Sequence, residues 1–348
     1  MSSAARKTVG ASSGPAAGLL LGVAICLSAC VASAQPGPGV PTNAPQQIVL
    51  RFLYSISGRT TIMGMHNKDA GNPTDATDQV TAIAGRQPAL WGGDFGFGDY
   101  TLANRQNMIN EAIAQFNAGA VVALIYHACA LTGDESCTWD DIGGANPVHL
   151  TDDQWNQLIT PGTDLYNNWI GRLDALSVYF QQLKDAGVAV LFRPLHEMNQ
   201  CVFWWACRPG PNGSLRLYQI THDYLAIRKR LSNIIWVWNL QDFTTLSSDV
   251  NSYFPGNRYF DVAALDVYNT GYTQHNYDTM VGIAHGKPIA VAECQFLPSP
   301  SLLAQQNKWT YVMLWPDFIW ENTSVLPVLY NAPNALTLDQ MPGWRVPF

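Results

Sequence analysis

Residues 188–197 read VAVLFRPLHE: five apolar residues of strand length that run directly into a cation, an imidazole and a carboxylate. A short β-branched and aromatic run with no polar alternation suits a strand covered on both faces, as in a parallel sheet. Seven other stretches have the same form: TIMGMH from 61, PALWGGDF from 88, AVVALIYH from 120, NIIWVWN from 233, DVAALDVY from 261, KPIAVAE from 287 and WTYVMLW from 309. Between them lie segments such as NRQNMINEAIAQFNAG and GSLRLYQITHDYLAIRKRLS, whose apolar residues recur at three- and four-residue steps, the spacing of helices that cover a sheet. Eight strands alternating with helices predict a single (β/α)8 TIM barrel, with an open doubly wound sheet as the rival. Seven of the eight runs end in or just before His66, Asp94, His127, Glu197, Tyr268, Glu293 or Trp315. In a barrel these ends converge on one face, where active sites sit.

The chain divides into an export signal at 1–34, a Pro/Gly-rich tether at 35–46 and one barrel at 47–348. Arg6 and Lys7 precede the apolar stretch PAAGLLLGVAICL, which is too short to span a membrane comfortably. Two ends are open to that signal. Leu27-Ser28-Ala29-Cys30 resembles a bacterial lipobox, which implies a lipid anchor at Cys30, whereas Ala32-Ser33-Ala34 suits ordinary cleavage and release. The expected location is therefore outside the cytoplasm: secreted, periplasmic or held on an outer membrane.

Composition limits the partners. Charged residues make up 13% of the 348 and the formal net charge is −7, becoming −9 once Arg6 and Lys7 are removed, so nucleic acid is not an expected partner. Twelve Trp, fourteen Tyr and thirteen Phe suit stacking on sugar rings, although at least half belong to core packing. Outside the signal the cysteines are Cys129, Cys137, Cys201, Cys207 and Cys294. The spacings C-x7-C and C-x5-C are not those of common structural zinc sites, so no metal is expected. Local disulfides, Cys129 with Cys137 and Cys201 with Cys207, would each close one loop at the barrel mouth; cross-pairing between the two loops is the competitor. The second bridge is expected to hold Phe203-Trp204-Trp205 near Glu197.

Glycosidic hydrolysis needs a proton donor to the leaving oxygen and a second carboxylate across the anomeric carbon. Glu197 and Glu293 each close an apolar run and lie 96 residues apart, about three βα units. Arg193, His196 and Asn199 surround the first, and Phe203-Trp204-Trp205 follows as a candidate sugar-binding wall. The segment RPLHE with the downstream FWW, together with VAECQF around Glu293, resembles glycoside hydrolase family 26, best known for β-mannanases. The likeness spans about residues 61–315. It implies a retaining enzyme with Glu197 as acid/base and Glu293 as nucleophile, and sugar or carboxylate contacts from His127, Arg193, His196 and Tyr268. With Trp204, Trp205 and Trp315 these make the expected substrate-binding set. The expected substrate is β-1,4-mannan, with β-1,3-xylan and mixed-linkage β-glucan as alternatives, and the expected protein is a monomer without cofactor. One departure stands out: Val202 occupies a position where members of that family usually carry Trp, immediately before Phe-Trp-Trp.

Two other classes share parts of this pattern. A metal-dependent amidohydrolase barrel would begin with H-x-H on its first strand, but here the strand ends Met65-His66-Asn67-Lys68. A non-catalytic carbohydrate-binding barrel would not need both glutamates. His149, His222, His275 and His285 are read as surface or satisfied core residues, and His66 either as lining the site floor or as hydrogen-bonding within the barrel mouth.

Overall fold

The computed structural model describes residues 44–145 and 147–344. The predicted signal, the cleavage and lipidation positions and nearly all of the tether lie outside the described residues.

Eight strands form a closed, wholly parallel barrel: β1 (Thr61–Asn67), β2 (Leu90–Asp94), β3 (Val121–Tyr126), β4 (Val190–Pro194), β5 (Ile234–Gln241), β6 (Val262–Val267), β7 (Ile289–Cys294) and β8 (Trp309–Leu314). Each strand pairs with the next, and β1 pairs with both β2 and β8, so the sheet closes and the open alternative is excluded. Every residue of the eight strands is buried, which is why the runs carry no alternation. The helix Asp99–Ala118 covers β2 and β3, burying Arg105, Met108, Ile109, Ala112 and Phe116 at helical spacing. It stops at Gly119, whose φ of 105° lies in the left-handed region that a side chain disfavours. The second predicted helix breaks in two: Ser214–His222 is α-helical, and Asp223–Arg228 widens into a π-type turn.

The N-terminal end of the barrel is closed by packing. Gln46, on the helix Pro45–Ile56, donates to the carbonyl of Ile234 at the start of β5, and the Trp344 indole donates to that of Ala120 beside β3. Nine of the twelve tryptophans are buried; Trp315 is half-buried, and Trp139 and Trp320 are exposed. Packing thus takes most of the indoles, and Trp139 and Trp315 lie at the open end. Among the described residues no helix is long and apolar enough to cross a membrane.

The cysteines pair locally, Cys129 with Cys137 and Cys201 with Cys207, and Cys294 is buried and free. The second bridge closes the loop that carries Phe203-Trp204-Trp205, and it is not the sole tie on that segment. Phe203, Trp204 and Trp205 are anchored by their own contacts: the Trp204 indole donates to Ala128 O at 2.8 Å, the Trp205 indole to His196 O at 2.8 Å, and the Ser214 hydroxyl to Trp205 O at 2.6 Å. Closing so short a loop removes about 2 kcal/mol of unfolded-state entropy. Cys201→Ser with Cys207→Ser is therefore expected to lower the unfolding free energy by about that amount while changing kcat and KM by less than about twofold. Denaturant titration and steady-state kinetics on one preparation check both parts.

Candidate active site

Three carboxylates meet at the C-terminal mouth: one oxygen each of Glu197, Asp266 and Glu293 lies within 4.8 Å of the others. Local backbone irregularities bring them together. Strand β4 ends at Pro194, and Leu195 and Glu197 then adopt φ of 51° and 52°, a left-handed conformation that costs a non-glycine residue energy and is held by its surroundings. The Glu197 N–H donates to Asn239 Oδ1 at 2.9 Å, and the His196 carbonyl is taken by Trp205. Between β6 and β7 the register slips, so that Leu265 faces Val291 but Asp266 faces Glu293. The bulge re-phases β7 and sets the second glutamate beside the aspartate.

Arg193 is the hub. Its guanidinium donates to Asp266 Oδ2 at 2.7 Å, to Asn239 Oδ1 at 3.4 Å and, in a very short contact, to Glu293 Oε1. The Tyr268 hydroxyl donates to Glu293 Oε2 at 2.8 Å, so both oxygens of this carboxylate are held. Glu197 has a different environment: Gln241 donates to its Oε1 at 2.8 Å, and no bond from Arg193 reaches it. Burial first, and the Glu293 charge second, raise the Glu197 carboxyl to about 8, against the opposing pull of Gln241, Arg193 and His127. The cluster therefore holds one carboxyl, Glu197, whose ionisation is opposed by burial and a neighbouring charge, and another, Glu293, whose two oxygens are both hydrogen-bonded; burial likewise pushes Asp266 well above the usual carboxylate range. By spacing the three carboxylates could ligate a cation, but the Arg193 guanidinium already donates to two of them.

The imidazoles divide in the same way. His127 Nδ1 lies 2.7 Å from Asp94 Oδ2; burial opposes its protonation, but Asp94 and then Glu293 outweigh it and raise its pKa. Asp94 is held low by the same partner against the effect of its own burial. His196, edge-on to His127 at 4.6 Å, is pushed well below its usual range by burial and by the charges of His127 and Arg193. His66, lowered to about 3 mainly by burial, stacks on Trp315 at 4.5 Å with 12° between the planes. Among the described residues neither ring nitrogen of His66 has a hydrogen-bond partner, so the reading of a hydrogen-bonded mouth residue is corrected: the buried ring packs beneath Trp315.

A cleft of about 460 Å³ opens over the β8–β1–β2–β3 side of the mouth, lined by Lys68, Asp94, Phe97, His127, Trp139, Trp315 and Asp317 among others. The Trp315 indole donates to Asp317 at 3.0 Å, and Lys68 pairs with the same carboxylate at 2.6 Å. The cleft joins aromatic faces to hydrogen-bonding groups, the combination that sugar rings require.

The sequence profile of glycosyl hydrolase family 26 matches residues 40–340. This chain belongs to glycosyl hydrolase family 26. A mannan endo-1,4-β-mannosidase of Thermothelomyces thermophilus is 29% identical over 332 residues, covering 87% of this chain. The chain spans only 62% of the length of that fungal protein. A Bacillus subtilis mannan endo-1,4-β-mannosidase is 27% identical, with 79% of this chain and 81% of that protein covered. Among solved structures, GH26A from Muricauda sp. superposes with a TM-score of 0.79 at 31% identity, covering 87% of this chain and 98% of the other. A β-mannanase from a symbiotic protist of the termite Reticulitermes speratus, complexed with a gluco-manno-oligosaccharide, gives 0.76 at 25% identity, covering 86% and 96%.

Within this family 26 chain, the expected residues His127, Arg193, His196, Glu197, Tyr268, Glu293 and Trp315 all gather at the mouth. Trp204 and Trp205 are the exception, and the expectation that they form a sugar-facing wall is corrected. They are 1% and 0% exposed; Trp204 packs edge-on against Trp169 at 5.8 Å, and Trp205 stacks on Phe203 at 4.4 Å. They support the loop; Phe203 lies 4.9 Å from the His196 ring and 5.7 Å from that of His127, and Trp205 backs His196 at 5.7 Å. Val202 is partly buried against the core. His222 packs on Trp236, His275 bonds Ser247 and His285 packs on Phe254, as structural readings require. Asp94, Asn239, Gln241, Asp266, Trp139 and Asp317 were absent from the expected set.

Proposed function

We propose that this chain is a retaining endo-β-1,4-mannanase acting by double displacement, with Glu293 as nucleophile and Glu197 as acid/base. The observation that carries the reading is the approach of the two glutamates to within 4.8 Å with opposite environments. Retaining enzymes hold the pair about 5–5.5 Å apart, while inverting ones need about 6.5–9.5 Å for an intervening water. In the first step a Glu293 oxygen bonds to the anomeric carbon, the glycosidic C–O bond breaks, and the Glu197 proton goes to the departing oxygen. Esterification then removes the Glu293 charge that helps hold the Glu197 pKa up, so Glu197, having given its proton to the leaving group, stays a carboxylate and accepts a proton from water as that water attacks the anomeric carbon. Breaking the ester bond restores Glu293.

Mannan is supported as substrate by the names of the relatives and by the aromatic cleft beside His127 and Trp315. A reducing-end assay over β-1,4-mannan, β-1,3-xylan and mixed-linkage β-glucan, with product lengths resolved, tests substrate and endo action together. Stereochemistry has its own test: proton NMR during early turnover is expected to show the β-anomer of the new reducing end first. An initial α-anomer would remove Glu293 from the nucleophile role.

The same reading includes export of a monomeric barrel, either released after Ala34 or anchored through Cys30. The signal-like residues 1–34 and the two disulfides support it, and mass spectrometry of the mature N-terminus separates the two fates.

A further inference from the structure

Asp242, which follows β5, is completely buried and lies outside the set of groups that would touch a sugar. Its carboxylate accepts four consecutive backbone N–H groups: Oδ1 takes those of Tyr268 at 2.9 Å and Asn269 at 2.8 Å, and Oδ2 takes those of Thr270 and Gly271, both at 2.7 Å. The Asn269 amide adds a bond to Oδ1 at 3.1 Å, and the Thr270 hydroxyl caps the Asp242 carbonyl at 2.6 Å. Gly271 supplies the backbone this requires, with φ of 78°, where a side chain would be strained. A buried carboxylate so fully satisfied is a rigid template for the chain that wraps it.

Two branches leave this loop for the two glutamates. Tyr268 ends on Glu293 Oε2. Asn269 Nδ2 donates to Gln241 Oε1 at 3.1 Å, which turns the other end of that amide, its NH2, towards Glu197 Oε1 at 2.8 Å. We propose that Asp242 is a positioning residue for catalysis: by folding residues 268–271 around its carboxylate it sets the Tyr268 hydroxyl on Glu293 and the Gln241 amide on Glu197 at once. This rests on the assignment of the two glutamates above and adds a single element that orders both.

Asp242→Asn is nearly isosteric, yet its NH2 would face N–H groups where an oxygen now accepts them. The folded variant, checked by melting and near-ultraviolet circular dichroism, is expected to lose about 10²-fold in kcat, the size of effect a small misplacement of reacting groups produces, with KM little changed. Because the loss travels partly through Tyr268, Asp242→Asn should cost at least about threefold less in a Tyr268→Phe background than in the native one. Full additivity of the two substitutions, or native kcat in folded Asp242→Asn, overturns the proposal. Asn269→Ala tests the other branch at an exposed residue and needs no change at Asp242. Freed from Asn269, the Gln241 amide holds the charged form of Glu197 less well, so the alkaline limb of kcat/KM should move to higher pH. An unmoved limb overturns the proposal, even if Asp242→Asn does not fold. Failure of the underlying assignment looks different, because Glu293→Ala would then remain active whatever Asp242 does.

Discussion

Glu293→Ala is expected to abolish turnover of polysaccharide and of activated aryl glycosides alike, by a factor on the order of 10⁵–10⁶, the scale on which hydrolases respond to loss of a covalent nucleophile. With Glu293 as the proposed nucleophile, a good leaving group cannot rescue this variant, because the missing atom is the one that would attack the anomeric carbon. The fold should survive. Arg193, which now divides its donors between Asp266 and Glu293, keeps its bonds to Asp266 Oδ2 and Asn239 Oδ1. Adding azide supplies a small external nucleophile to the space left by the side chain, and the expected product from a β-aryl glycoside is the α-glycosyl azide. Activity within tenfold of native on the aryl substrate, or a β-azide, would move the nucleophile elsewhere; Asp266 would be the next residue to test, since its oxygen lies within the same 4.8 Å cluster.

The residues that reading the chain found share one property: each closes an apolar run. His127, Arg193, Glu197, Tyr268, Glu293 and Trp315 stand where strand character stops, and barrel geometry sends such positions to one face. Asp266 has no such marker, because it lies within the run VAALDV, one residue before β6 ends, rather than closing it. A signal was available in physical terms, because a carboxylate within a fully buried strand must find a cation or donors, and Arg193 and Asn239 are those partners. Gln241 and Asp242 were hidden by a boundary: the fifth run ends at Asn239, whereas β5 continues through Leu240 to Gln241, with Asp242 directly after it.

Trp204 and Trp205 show the opposite failure. They follow Glu197 closely in sequence, but adjacency along a chain says nothing about direction. The left-handed turns at Leu195 and Glu197 redirect the segment so that Phe203 meets His196 while both indoles are spent on the carbonyls of Ala128 and His196. Trp139, 49% exposed and stacked near Phe97, is the aromatic that the cleft presents instead, and its loop offered no strand end to mark it.

Glu197→Ala should behave differently from the nucleophile variant, because demand for an acid depends on the leaving group. On polysaccharide, whose leaving alkoxide must be protonated, the loss is expected to be about 10²–10⁴-fold. On an aryl glycoside with a strongly acidic phenol, the first step needs little proton donation and should keep most of its rate, so that hydrolysis of the glycosyl-enzyme becomes limiting and azide accelerates it with a β-glycosyl azide as product. The pH profile follows from the same carboxyl. With Glu197 as the proposed acid, that carboxyl must be protonated in the free enzyme, so native kcat/KM on the proposed mannan substrate should hold below the Glu197 pKa of about 8 and fall as pH rises through it. Burial and the Glu293 charge set that limb, so Gln241→Leu, which removes a hydrogen bond favouring the ionised form, should shift it upward. In Glu197→Ala the limb should vanish on the aryl substrate. If the limb instead persists in that variant, the titrating group is another one; and if Glu197→Ala and Glu293→Ala respond alike to the pKa of the phenol, the two roles are not divided as proposed, although the site itself would stand.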